Sequence, residues 1–197
     1  MKCASAIISF IFLALMLVSC DNKENLNQDE QILQNEQADA SQNAQAASIS
    51  ENYYKPFTLY LSSGKKINMQ KNQTGFDISS NQMILLNFFT SSCGAPCKVQ
   101  SRYLNAFAKK YPDDLRVIGV ILEDYDENTI IALAKEENIN YELSYGENNY
   151  LLAKAANEEL NIAPTSILYD KNGNFIRSYE GITPPEMIES DIKRELE

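Results

Sequence analysis

Histidine and tryptophan are both missing from the 197 residues, and the first absence excludes the most. Without an imidazole there is no Ser-His-Asp or Cys-His catalytic unit, no histidine-bearing zinc, copper or non-haem iron centre, and no switch that titrates near neutral pH. Chemistry has to come from other groups. Clustered positive charge is lacking too: 17 basic against 27 acidic side chains leave a net charge of −10, with no basic block. Phosphate backbones are bound by clustered Lys and Arg, so nucleic acid is excluded as a partner. The length suits one domain with appendages.

A membrane-spanning run is also absent from the N-terminal segment. Residues 6–18 are apolar and uncharged behind a positive Met1-Lys2 start, but they fall short of the roughly 20 residues of a span. They have the length of a signal-peptide core. Leu17-Val18-Ser19-Cys20 resembles the bacterial lipobox, in which the chain is cut before the cysteine and the cysteine is acylated. That predicts a signal peptide over 1–19 and a lipid on Cys20; the alternative is an uncleaved anchor with an incidental cysteine. Asp21 resembles an inner-membrane retention signal, which predicts a lipoprotein facing the periplasm, or the extracellular side.

Residues 20–52 read as a disordered tether. Within 21–50 there are eleven Asn or Gln, six acids against one lysine, and no aromatic, glycine or proline. Such a stretch cannot bury enough apolar surface to order itself. The alternative is an amphipathic helix through Leu26, Ile32 and Leu33. As a coil it holds a domain roughly 30 Å from the bilayer.

Residues 53–197 are enough for a single core. Residues 57–61 and 65–69 flank Ser62-Ser63-Gly64 and predict a hairpin. Residues 83–89 and 115–122 are nearly continuous apolar runs, the pattern of strands covered on both faces. Between them Val99, Tyr103, Leu104, Phe107 and Tyr111 recur at helical spacing, giving the strand-helix-strand unit of a parallel sheet. Beyond Asp124 the pattern predicts a helix near 128–138, a short segment near 140–144 and a helix near 149–160. Strands 166–170 and 174–179 flank Lys171-Asn172-Gly173, where Asn-Gly predicts the positive φ angles of a hairpin turn. The last helix is expected to be capped by Thr183, with Pro184 in its first turn, Glu186 completing a capping box, and Ile188, Ile192 and Leu196 on its apolar face.

Four cysteines reduce to one pair, because Cys3 leaves with the signal and Cys20 carries lipid. Cys93 and Cys97 in an exported protein form either a structural disulfide or a redox couple. A staple closing so small a loop adds little chain-entropy stabilisation, which favours redox chemistry. Residues 90–98 lie where a buried strand ends and a helix begins, the place where open α/β sheets put their sites. Backbone N–H groups and the helix dipole favour an anion there, so Cys93 is expected to be the nucleophile, with some help from Lys98.

The Cys-Gly-x-Pro-Cys arrangement between strand and helix, the Ile162-Ala163-Pro164-Thr165 run ahead of a strand, and the hairpin before the first core strand carry a family resemblance. Over about residues 55–197 the chain resembles the thioredoxin-like, membrane-tethered thiol-disulfide oxidoreductases of the TlpA/ResA type. The resemblance implies an α/β thioredoxin-like fold, a central mixed sheet flanked by helices with an N-terminal β-hairpin extension. It implies that Cys93 attacks a substrate disulfide, that Cys97 resolves the mixed disulfide, and that Pro164 is a cis proline facing the pair. Ala163 is then free to pair its backbone with an extended substrate, with Gly94, Ala95, Pro96 and Thr165 around it. No cofactor and no metal is implied. The implied partners are exported proteins with disulfides or thiols, as in cytochrome c maturation and metal-site assembly, and a membrane protein that donates electrons.

Asn87, six residues before Cys93, matches the position where thioredoxins proper keep a buried carboxylate, and an amide cannot accept the resolving thiol's proton. In TlpA/ResA-like proteins an acid ends the next strand, so Glu123 and Asp124 are the proton-transfer candidates; the alternative is that both are solvated loop acids. The spacing departs from the family by one residue, CxxxC for CxxC. Cα atoms four apart in a helix lie about 6.2 Å apart, still inside the disulfide range. Ser92 replaces the tryptophan usual before the first cysteine. Two other functions compete. Thr90-Ser91-Ser92-Cys93 resembles the TxxC of peroxiredoxin-like thiol peroxidases, but Leu86 stands where their proline does. CxxxC also resembles Sco-type copper proteins; their histidine ligand is missing, although two thiolates suit Cu(I) in a non-enzymatic copper chaperone.

Overall fold

Alternation along one fully buried strand sets the layers of this protein. In the computed structural model, which describes residues 55–197 apart from Ser79 and 157–160, β4 (Met83–Phe89) is buried at all 7 positions. Its even-numbered side chains Ile84, Leu86 and Phe88 enter one hydrophobic cluster, and Met83, Leu85 and Phe89 enter another on the opposite face. A strand with no solvent face has to read as an unbroken apolar run, which is why the sequence marked it so plainly. The predicted leader and tether, with Cys20, lie outside the described residues. Among the described residues no helix is long and apolar enough to cross a membrane.

The remaining strands are β1 (Phe57–Leu61), β2 (Lys66–Lys71), β3 (Phe76–Asp77), β5 (Leu115–Ile121), β6 (Glu142–Tyr145), β7 (Thr165–Tyr169) and β8 (Phe175–Glu180). They form one mixed 8-stranded sheet in the order β3-β2-β1-β6-β5-β4-β7-β8. The β4-β5 and β5-β6 pairs are parallel; the others are antiparallel. Helices α1 (Ala95–Lys110), α2 (Glu127–Glu136) and α4 (Pro185–Arg194) pack Leu104, Phe107, Ile130, Ile188 and Ile192 on the Phe89 face. Helix α3 (Asn148–Ala156) covers the other face with Leu152, Ala153 and Ala155, beside the N-terminal strands. The expected α/β thioredoxin-like arrangement with its hairpin extension is therefore present.

Strand β3 was not foreseen, since two residues carry no period. It curls the extension back onto the far end of the sheet. Phe76 N donates to Gly173 O (2.9 Å), Phe175 N donates to Thr74 O (2.7 Å), and Gly75 bridges Asn174. Neither glycine is replaceable without movement: a Cβ on Gly75 would sit 2.0 Å from Gly173 O, and one on Gly173, where φ is +82°, would sit 2.0 Å from Phe76 O. The β7-β8 turn also differs from expectation. Only Gly173 has positive φ there, while the Asp170 carboxylate accepts the N–H groups of Asn172 and Asn174 at 2.8 Å.

The start of α4 needs a second correction. Thr183 does not cap it: the helix begins at Pro185 after Pro184, without a side-chain cap, and Thr183 is buried with its N–H given to Gln100 Oε1 (3.1 Å). Tertiary demand from Gln100 outweighs the local capping box. Leu196 lies beyond the helix and is exposed.

Helix α4 carries a buried carboxylate. Asp191, 3% exposed, accepts from Tyr179 Oη (2.6 Å) and pairs with Arg194 (2.7 Å) and Arg177 (3.3 Å). Burial opposes its ionisation, but the Tyr179 and Arg194 hydrogen bonds and the two arginine charges outweigh burial and hold the carboxyl below its usual range. On the same helix, Lys110 and Tyr111 hold Glu189 down at about 2. Folded-state values below the unfolded ones mean stability that is complete above about pH 5 and lost as pH falls through the folded values. The thermal midpoint should therefore drop on acidification from about pH 5 towards pH 2, and Asp191→Asn should flatten part of that drop. Thermal unfolding followed across this range checks it; identical slopes in the two proteins would refute the assignment.

Candidate active site

Strand β4 delivers the chain to the site, and a change of helix type places the cysteines. Ser91–Cys93 make one 3-10 turn, with Cys93 N bonded to Thr90 O (3.2 Å). Gly94 then turns with φ 66° and ψ −136°, a conformation that favours glycine, and α1 starts at Ala95 with Pro96 in the first turn, where no N–H is needed. Cys93 thus precedes the helix and Cys97 lies within it. The pair is joined as a disulfide with Cα atoms 5.7 Å apart, so the extra residue of CxxxC is absorbed by the Gly94 turn. Both cysteines are partly buried, while Gly94, Ala95 and Pro96 form an exposed rim. Cys97 packs against the apolar cluster on the Phe89 face.

Glu123 braces this turn. Its two carboxylate oxygens accept Ser91 N (2.8 Å) and Ser91 Oγ (2.6 Å), tying the end of β5 to the turn. Asp124, the second candidate, is exposed. Neither lines the cavity on which Cys97 opens. The Thr90 hydroxyl lies 3.2 Å from Ser92 Oγ, so the threonine of the TxxC pattern is engaged with that serine.

The second loop arrives through sheet register. Thr165 pairs with Phe88, which puts Pro164 at the level of Phe89, at the cysteine end of the sheet. The Ala163-Pro164 bond is cis, as expected. Pro164 is buried and its carbonyl accepts Gly181 N (2.8 Å), linking this loop to the one after β8. Ala163 is exposed. Thr165 is 1% exposed and donates its hydroxyl to Ile162 O (2.5 Å), so its side chain shapes the loop and is not presented to a substrate. The two linked loops expose Ile162 (49%) and Ile182 (48%); Ile182, twenty residues beyond Ile162, carries no signal in the sequence.

Beneath the cysteines lies a neutral polar chain. Ser166 Oγ donates to Asn87 Oδ1 (3.0 Å), Gln100 Nε2 reaches Ser166 Oγ (3.5 Å), and Gln100 Oε1 takes the Thr183 N–H. All four residues are buried. Asn87 also faces a small cavity of about 50 Å³ shared with Cys97. An ion pair between Lys98 Nζ and Glu137 Oε2 (3.0 Å) stands at that cavity, with Glu137 delivered from the end of α2, forty residues away in sequence.

No protein-family model and no curated protein matches the chain. Solved structures do match. StoA from Bacillus subtilis shares 18% identity over 70% of this chain and 96% of its own, with a TM-score of 0.53. The exposed lipoprotein thioredoxin of Streptococcus pneumoniae shares 19% over 71% and 99%, TM-score 0.55. A thiol-disulfide oxidoreductase from Bacteroides fragilis shares 18% over 72% and 97%, TM-score 0.53. At such identities the likeness is one of fold, and the strand order, the cysteine pair at the head of α1 and these neighbours agree that this chain has a thioredoxin-like fold, the fold of bacterial thiol-disulfide oxidoreductases.

Proposed function

We propose that the chain is a membrane-anchored thiol-disulfide oxidoreductase that reduces disulfides of exported proteins. One observation carries the reading: the joined Cys93 and Cys97 at the head of α1, at the same end of the sheet as the cis Ala163-Pro164 loop. In the reduced protein the Cys93 thiolate, favoured by the N-terminal N–H groups of α1, attacks one sulfur of a substrate disulfide. One substrate thiolate leaves and a mixed disulfide forms. The Cys97 thiolate then attacks Cys93 Sγ, the second substrate thiolate leaves, and Cys93-Cys97 closes. Two electrons have passed to the substrate, and a membrane electron-donor protein restores the dithiol.

The exposed Ala163 backbone offers an extended substrate strand-like pairing, with Ile162 and Ile182 as apolar contacts and Gly94, Ala95 and Pro96 as the opposite rim. A signal peptide over 1–19, a lipid on Cys20 and a tether over 20–52 would keep this domain near, not in, the membrane. Apocytochrome c and metal-site assembly proteins are the proposed substrate class, since the resembled family serves them.

The test is the reduction potential of Cys93/Cys97, measured by equilibration of the full chain with thiol-disulfide buffers. The expected value lies near that of thioredoxin, roughly −270 mV; a value near the strong oxidants, roughly −120 mV, reverses the direction of electron flow. Stoichiometric Cu(I) binding without disulfide exchange would replace the reading altogether.

A further inference from the structure

Resolution of the mixed disulfide requires Cys97 to lose a proton, and the expected acceptors are not where Cys97 opens. Both oxygens of Glu123 accept from Ser91, and Asn87 is an amide whose Oδ1 accepts from Ser166. Cys97 instead faces a cavity of about 50 Å³ whose polar lining is Asn87, Thr90, Ser91, Lys98, Ser101, Glu137 and Tyr141. A water needs roughly 10–15 Å³ of such space and two to four polar partners, so this cavity suits water. Among the described residues Glu137 is the one carboxylate in this lining. The Tyr141 hydroxyl shares a hydrogen bond with Ser101 (3.0 Å), and burial pushes it up to about 12, so it stays protonated at neutral pH. Lys98 holds Glu137 in place by the 3.0 Å ion pair. On the outer side, Glu137 borders an open groove with Glu136 and Arg102, which completes the charged groups around it.

We infer that Glu137 is the proton-transfer residue for the resolving cysteine, accepting the Cys97 proton through water in this cavity. The inference rests on the oxidoreductase reading. The step balances: Cys97 S–H passes its proton by way of water to the Glu137 carboxylate. The Cys97 thiolate forms the bond to Cys93 Sγ, the Cys93-substrate bond breaks, and the departing thiolate carries the electron pair away and is protonated by solvent. In the reverse direction the protonated Glu137 returns the proton as Cys97 is released. Its place at the end of α2, held by a lysine adjacent to Cys97 in sequence, couples the residue to the motif without any local sequence signal.

The test uses the reduced full chain and a symmetric aromatic disulfide, which releases one coloured thiolate when Cys93 attacks and a second when Cys97 resolves. In Glu137→Gln the first release should keep its rate, while the second slows about tenfold or more at neutral pH, within the range of general acid-base effects. The slowed step should regain speed as pH rises and solvent takes over the proton, and Glu137→Asp should restore part of it. A second release in Glu137→Gln as fast as in the parent overturns the inference. So does an equal slowing of both releases, which would mark a merely structural role. A parent chain that releases neither thiolate overturns the oxidoreductase reading beneath it, an outcome visible before any variant is made.

Discussion

Replacing Cys93 by serine should abolish disulfide reduction, lowering the rate on the order of a thousandfold or more to the background, because a serine hydroxyl without an adjacent base is not a nucleophile. Cys97→Ser should behave differently. Its first step survives, and the substrate stays on Cys93 as a mixed disulfide that mass spectrometry detects as the added mass of one substrate chain. The asymmetry follows from placement: Cys93 stands before α1 on the 3-10 turn beside the exposed rim, and Cys97 packs inward against the apolar cluster. Stability separates chemistry from damage. Loss of a disulfide that closes so short a loop costs about 2 kcal/mol on chain entropy. Both variants should therefore melt close to the reduced parent. Retained turnover by the Cys93→Ser variant would sink the proposed function.

Phe76→Ala should cost about 3–5 kcal/mol, the usual loss for a buried phenylalanine and a large share of the roughly 5–15 kcal/mol that holds a domain together. Phe76 is 0% exposed and makes edge contacts with Phe57 (6.4 Å between centroids) and Tyr169 (5.5 Å). It sits where the curled extension meets the far strand pair, next to the Gly75 and Gly173 contact. Truncation removes both the ring contacts and the filling of the core cluster that holds Ile84, Leu86 and Phe88. Urea unfolding at unchanged slope measures the effect. A loss below about 1 kcal/mol would show that the N-terminal hairpin is an appendage and not a part of the core.

Legibility in this chain tracks how far apart the cooperating residues lie. β4 and β5 were plain because burial on both faces forces continuous apolar runs, and the Cys93-Cys97 motif and Pro164 were plain because each is a short string with its own chemistry. β3 was not, because two residues cannot display a period and their pairing partners are reached only after the sheet curls. The Thr183 cap failed for a related reason: local capping chemistry was present, but its N–H went to Gln100, eighty-three positions earlier. Glu123 stood out in the sequence as a proton-transfer candidate at the end of a strand, yet only the fold showed its oxygens bonded to Ser91.

By itself the sequence determined the layered α/β plan through the spacing of apolar residues, and the absence of histidine narrowed the candidate chemistry to the Cys93-Cys97 dithiol. It also supplied the positions of the paired cysteines and of the cis proline. Tertiary structure alone decided which groups surround them: Glu137 in the lining of the cavity shared with Cys97, Ile182 next to the glycine that bonds the proline loop, and glycines where the two ends of the sheet touch. The division has a physical cause. Periodicity and motif chemistry are encoded within a few residues, whereas proton transfer and close packing depend on distances of a few ångströms between segments that the chain keeps many residues apart.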